Sequence, residues 1–208
     1  MGNITKLKEY HARAGPEIRA RLKEFEKIKD CNGDDIFKEL CFCVLTANTS
    51  AEMGLKAMSA AAGEMVEGNE AKICEALKSC GYRYPNKRAQ YIAYNKEKVK
   101  RGLKEKVGSC QDVQELRDHL VENVKGFGYK EASHFLRNIG FRGLAILDKH
   151  ILSSLVEFGV IKENKPPKNK KEYLETENKM KKFSKDIGIE MDELDLLLWS
   201  RKTGKILK

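Results

Sequence analysis

Apolar residues recur at intervals of three and four along most of this chain, the period of helices with one buried face. No run alternates in the way a half-buried strand would. Ile18, Leu22, Phe25 and Ile28 form one stripe, and Pro16 stands where a first-turn proline belongs. Ile36, Phe37, Leu40, Phe42, Val44 and Leu45 are apolar on most sides of the next helix, which predicts a central position for it, with Asp34 or Asp35 as its cap. Further helices are predicted over 51–65, 70–79, 87–100 and 113–124. A glycine-rich hairpin over 124–129 leads into a helix from Lys130 to Asn138. The short apolar run Leu144-Ala-Ile-Leu147 ends at Asp148, an N-cap position for a helix that continues through Ile151, Leu155 and Phe158. Residues 162–171, with two prolines and many lysines, read as a loop, and helices over 172–187 and 191–203 follow. The pattern predicts an all-α protein of about ten helices.

The length of 208 residues allows one large domain or two small lobes with a buried core. The small apolar residues over 60–65 are far too few to span a bilayer, and residues 1–9 do not read as a secretory signal, so a cytoplasmic protein is expected. A net charge of +9, from 40 basic and 31 acidic residues, suits a polyanionic partner whose phosphates release counterions; it also suits a merely basic, solvated surface. The six cysteines, at 31, 41, 43, 74, 80 and 110, match no zinc spacing. Cys41 and Cys43 read as reduced core residues. His11, His119, His134 and His150 form no metal-like pattern.

The chemistry-bearing stretch is Val124–Ala132. Gly126 and Gly128, one residue apart, allow a tight turn with positive φ and strip side chains from it, so that amide N–H groups at the next helix N-terminus can face a DNA phosphate. A Gly-x-Gly pair alone fits an ordinary connecting turn equally well. Lys130 follows two residues after the second glycine, and Asp148 lies 18 residues beyond it. Each has a bland reading too, a solvated lysine and a simple helix cap.

The stretch Lys125-Gly-Phe-Gly-Tyr-Lys-Glu-Ala-Ser-His-Phe-Leu-Arg-Asn-Ile-Gly140, followed by Leu147-Asp-Lys-His-Ile151, resembles the helix-hairpin-helix glycosylases with a Gly/Pro-rich loop and a catalytic aspartate. The likeness is to the archaeal-type (type 2) 8-oxoguanine DNA glycosylase/AP lyases. It extends to Glu39-Leu-Cys-Phe-Cys-Val-Leu-Thr-Ala-Asn48, to Gly81-Tyr-Arg-Tyr84 with Lys87-Arg-Ala89, and to the ending from Glu193 to Lys208. The resemblance implies one glycosylase unit over residues 1–208, made of two helical lobes. The hairpin motif would lie at about 113–138 and the active site in the cleft between the lobes. Lys125 stands where many superfamily members have proline, which adds a candidate phosphate contact. Many members also carry four C-terminal cysteines for an iron–sulfur cluster, and no cysteine follows Cys110 here. That excludes such a cluster.

The same resemblance implies roles. Excision makes the sugar oxocarbenium-like as the base leaves, and a carboxylate, Asp148, stabilises that charge. An amine nucleophile, Lys130, leaves an imine that promotes β-elimination of the 3′ phosphate. Lys125, Gly126, Phe127, Gly128 and Tyr129 would meet the DNA backbone. Tyr84 and Trp199 would line the lesion pocket with help from Lys208 at the C-terminus, although Trp199 alone reads as core. Asn48 would fill the gap in the duplex or serve as a helix C-cap, and Arg83 would approach the orphaned base or a phosphate. Backbone carbonyls of Glu122, Val124 and Phe127 could hold Na⁺ or K⁺. Double-stranded DNA carrying 8-oxoguanine or an abasic site is the expected partner of a monomer. The other readings are a glycosylase for oxidised pyrimidines and a non-catalytic DNA-binding module.

Overall fold

The computed structural model describes residues 2–207, all helical apart from turns and extended connections. Eleven helices follow one another: α1 (Gly2–Ile28), α2 (Gly33–Thr46), α3 (Ala51–Val66), α4 (Glu70–Ser79), α5 (Pro85–Lys98), α6 (Lys100–Gly108), α7 (Val113–Asn123), α8 (Tyr129–Asn138), α9 (Lys149–Glu157), α10 (Lys170–Ile187) and α11 (Met191–Thr203). They fall into two compact units. One joins the residues up to Glu26 with those from Gly140 onward, and the other is Lys27–Ile139.

The second unit is built around α2. Every residue from Ile36 to Thr46 except Lys38 is buried, and α3, α5, α6 and α8 pack on this helix. A helix apolar on all sides has nowhere stable to lie but the middle of such a cluster. Its cap is Asn32, whose side chain accepts the Asp35 N–H at 2.9 Å, in place of the predicted Asp34 or Asp35. Asp35 instead accepts bonds from Asn32 and Lys38. The helix predicted over 87–100 is α5, and a helix the pattern does not predict, α6, follows it after Val99. It buries only Leu103 and Val107, too sparse a pattern to mark a helix.

In the other unit, Pro16 lies inside α1 and does not begin it. An interior proline removes one backbone bond and costs roughly 3 kcal/mol. Leu7, Ile18, Leu22 and Phe25 are all buried on one continuous stripe through that point, and this burial outweighs the local preference. Contacts from α1 to α11 add to it: His11 Nε2 lies 2.6 Å from Glu193, and Arg19 bonds the same carboxylate at 3.1 Å. Among the described residues no helix is long and apolar enough to cross a membrane.

Candidate active site

Lys130 is the second residue of α8. The preceding turn uses its two glycines differently. Gly126 has φ +92°, and a Cβ there would sit 2.8 Å from the Tyr91 ring, so both conformation and space require glycine. Gly128 is extended, with φ −111°. Its N–H donates to Glu131 Oε2 at 3.2 Å, so one of the amides expected to face a phosphate is already occupied. The first intrahelical bond of α8 runs from the Ala132 N–H to the Gly128 carbonyl. The amides of Tyr129, Lys130 and Glu131 therefore have no acceptor within the helix itself and lie at its electropositive end. Lys130 Nζ lies 3.6 Å from Glu131 Oε1, both side chains being partly covered. Glu131 thus joins the turn to the amine.

The turn is fastened from below. Asn95 on α5 is fully buried and accepts the Lys125 N–H at 2.8 Å while donating to the Lys125 carbonyl at 3.0 Å. Phe127 is buried and meets Phe135 at 6.0 Å between ring centres, which leaves its backbone for any contact with DNA. Tyr129 donates its hydroxyl to Asp118 at 2.7 Å, beneath the Arg117 guanidinium, and burial together with Asp118 pushes its phenol up to about 12. Arg117 itself is fully buried and donates to Ser133 at 3.1 Å, locking α7 against α8. Asn138 at the far end of α8 donates to Glu39 of α2 at 2.6 Å. Lys125 is exposed, with its ammonium 5.2 Å from the centre of the Tyr94 ring.

Three further predicted residues belong to this unit. Asn48 is exposed, with φ +61°, one residue past Ala47, which is the C-cap of α2 in place of Asn48. Tyr84 is half-buried at the N-cap position of α5, and the Arg83 guanidinium lies 5.0 Å from the centre of its ring.

Asp148 belongs to the other unit and is held by a different device. Residues 143–147 lie outside any helix, no strand pairs with them among the described residues, and Leu144 to Leu147 are buried. Buried amides need acceptors, and side chains from α10 and α11 supply them. Gly143 donates to both Asp192 oxygens at 3.1 Å, Ala145 to Glu177 at 2.8 Å, and Ile146 to Asp195 at 3.0 Å. The Leu147 N–H donates to the Tyr173 hydroxyl at 3.3 Å, which donates in turn to the Ala145 carbonyl at 2.7 Å. The segment delivers Asp148 to the N-cap of α9, where Oδ1 accepts the His150 and Ile151 amides, each at 2.8 Å. Both cap bonds end on one oxygen, so Oδ2 takes no part in them. The His150 ring meets Trp199 edge-on at 6.5 Å, and Trp199 is only partly buried, so it is not simply a core residue. Lys208 lies outside the described residues.

The structure thus gathers Lys125 to Tyr129 with Lys130 in one unit, and Asp148 with Trp199 in the other. Sequence reasoning missed Glu131, Asn95, His150 and the carboxylates of α10 and α11. A Glu at the third helical position is a legible capping signal. The rest act across 26 to 49 residues of chain and leave no local mark.

The chain matches the family model described as 8-oxoguanine DNA glycosylase (Ogg-HhH) over residues 18–189. It is 42% identical over 191 residues to an 8-oxoguanine DNA glycosylase/AP lyase of Korarchaeum cryptofilum, covering 92% of this chain and 90% of that one. It is 39% identical over 206 residues to the 8-oxoguanine DNA glycosylase/AP lyase of Thermotoga maritima, covering 99% and 98%. The fold matches the Methanocaldococcus jannaschii 8-oxoguanine glycosylase/lyase, solved with a 15mer DNA containing 8-oxoguanine, at a TM-score of 0.94 and 38% identity, with all of both chains covered. The crystal structure of the Thermotoga maritima 8-oxoguanine DNA glycosylase gives 0.93 and 38%, covering 100% of this chain and 99% of that one. A family match across most of the chain and relatives near 40% identity along nearly its whole length place it plainly: this chain belongs to the helix-hairpin-helix 8-oxoguanine DNA glycosylase family.

Proposed function

We propose that this protein is a bifunctional DNA repair enzyme that excises 8-oxoguanine from duplex DNA and nicks the resulting abasic strand. The observation that carries the reading is a primary amine, Lys130, at the open N-terminus of a helix directly after a glycine turn. The amides of Tyr129, Lys130 and Glu131, with the exposed Lys125, suit a phosphate. Flipping brings C1′ out of the stack at a cost of a few kcal/mol. Lys130 Nζ attacks C1′ as the bond to N9 breaks, and the base departs with that electron pair. As the C1′–O4′ bond breaks and the sugar opens to an imine, the two protons of the amine pass to the departing base and to O4′. Loss of a C2′ proton then expels the 3′ phosphate.

Asp148 is the carboxylate for the positive charge that develops at C1′, its cap bonds fixing one oxygen and leaving the other free of them. Glu131, 3.6 Å from the amine, is a proton acceptor within its reach. Tyr84 and Trp199 offer flat surfaces to the extruded base. Oxidation gives that base an N7–H donor that guanine lacks, so one well-placed acceptor discriminates. Lys208 is assigned to this recognition only through the resemblance. Asn48 is proposed to fill the vacated place in the duplex and Arg83 to meet the orphaned base or a phosphate.

A monovalent cation would fit at the end of α7. Glu122 lies in its last turn, so its carbonyl has no amide four residues on within the helix, and Val124 and Phe127 follow at once. The Val124 carbonyl already accepts the Phe127 N–H at 3.2 Å, which leaves one lone pair. We place the enzyme in the cytoplasm, on the nucleoid, acting as a monomer.

Borohydride trapping on a duplex with one 8-oxoguanine, beside duplexes with thymine glycol or no lesion, tests this reading. A covalent complex specific to 8-oxoguanine that is lost in Lys130→Gln is expected. Trapping on thymine glycol alone would move the substrate to oxidised pyrimidines. Binding without trapping or cleavage would leave only a DNA-binding module.

A further inference from the structure

Two polar side chains on α5 are buried for no purpose that the packing of α5 itself explains. Arg88, 7% exposed, donates through Nη2 to the carbonyl of Ala47 at 2.7 Å. Its guanidinium lies 5.7 Å from the centre of the Tyr91 ring, its Nε is buried with no hydrogen-bond partner, and among the described residues no carboxylate pairs with it. Asn95, fully buried, pairs with both backbone groups of Lys125. A buried guanidinium without a counter-ion is costly, and a leucine would fill the place of Asn95. What the two have in common is their targets. Ala47 is the residue before Asn48, and Lys125 is the residue before Gly126. Each side chain grips the main chain at the root of a turn that the proposed function places against DNA.

We propose that α5 is the spacer between those turns, with Arg88 and Asn95 as positioning residues for nucleotide extrusion. They stand seven residues apart, two turns of helix or about 10 Å along its axis. Tyr91, between them in sequence, lies against Gly126 and beneath the Arg88 guanidinium. The Ala47 carbonyl ends α2, where a cation is also favoured by the helix dipole. Tyr82 reinforces the same end by donating its hydroxyl to Leu45 at 2.5 Å. One rigid rod thus sets the interval between the side chain that enters the duplex and the amides that hold its backbone. Extrusion needs that interval, because a backbone held at one point and wedged at another must have a fixed distance between the two.

The inference rests on the proposed function, and the two fail differently. The experiment compares wild type with Arg88→Met, Arg88→Lys and Asn95→Leu. It measures single-turnover excision of 8-oxoguanine, nicking at a preformed abasic site, affinity for an undamaged duplex and for one holding a tetrahydrofuran abasic analogue, and thermal melting. In Arg88→Met, excision from an intact pair should fall about tenfold or more while nicking at the preformed abasic site, where no paired base needs extrusion, falls less than about threefold. Arg88→Lys, which keeps a donor, should recover part of the excision. In Asn95→Leu, affinity for both duplexes should weaken together by about tenfold, with the rate at saturating DNA within about threefold of wild type. Losses in proportion to lowered melting temperature, equal for excision and nicking, would mean a role in folding alone and would overturn the inference. So would Arg88→Met behaving as wild type in a folded protein. Wild type that neither excises nor nicks would overturn the function, and the inference with it.

Discussion

The two residues proposed to do the chemistry are mounted in opposite ways. Lys130 sits on a turn made of backbone: one glycine at positive φ, a helix N-terminus, and a buried amide side chain that grips the turn at Lys125. Asp148 sits at the end of a buried, non-helical segment that no strand accompanies among the described residues. Three carboxylates and a tyrosine take the amides that a neighbouring strand would otherwise take. The first mount keeps donors open, as an anion-binding site must. The second ties down the amides of Gly143, Ala145, Ile146 and Leu147, so that the segment is fixed and one carboxylate oxygen takes no part in the cap bonds. A nucleophile that must meet DNA is served by the open kind, and a charge that must stay in place by the closed kind.

Substitutions can break each half of that contrast. The largest effect is expected at the reacting groups. Lys130→Gln should lose trapping and nicking altogether, and Asp148→Asn should lose excision by about 10²-fold or more while melting within about 1 kcal/mol of wild type, since Asn caps a helix nearly as well as Asp. Gel assays of excision beside calorimetry check both; a fully active Asp148→Asn would reduce that residue to a cap.

Next comes the closed mount. Asp195→Ala strips the Ile146 amide of its acceptor and should cost about 1–3 kcal/mol, lowering the melting temperature by roughly 2–10 °C. If the segment positions Asp148, excision should fall further than stability accounts for at a temperature where the variant is folded.

The open mount offers a sharper contrast within itself. Gly126→Ala forces a left-handed φ and a contact with Tyr91, and should cost about 1–3 kcal/mol and weaken duplex binding. Gly128→Ala meets nothing closer than 3.5 Å, at an ordinary φ. It should change stability by less than about 1 kcal/mol. Equal effects at the two positions, read by denaturation and anisotropy, would refute this account of the turn.

The smallest effect is a matter of pH. Burial and Asp118 hold the Tyr129 phenol up at about 12 against an ordinary 10.0. A group whose folded value is raised contributes stability below its unfolded value and loses it as pH climbs through the folded one. Stability should therefore fall between about pH 10 and pH 12, by less than about 2 kcal/mol given partial exposure, and Tyr129→Phe should flatten that part of the curve. Urea titrations of both proteins at stepped pH would reveal it.

By itself the sequence determined the helical class, the central place of α2, the glycine turn before Lys130 and the cap at Asp148. Each of these is a local pattern: a period, a residue type at a fixed offset, or an apolar run with no polar face. It could not foretell that α1 runs through Pro16, because the burial of Leu7, Ile18, Leu22 and Phe25 outweighs the proline only once the unit has assembled. Nor could it pick Asp192, Glu177 and Asp195 from the acidic residues of α10 and α11, or Arg88 and Asn95 from the polar residues of α5. A carboxylate that accepts a buried amide 32 or 49 residues away looks, along the chain, like any solvated carboxylate. Its partner is chosen by where the backbone lies in space, and only the tertiary structure decides that.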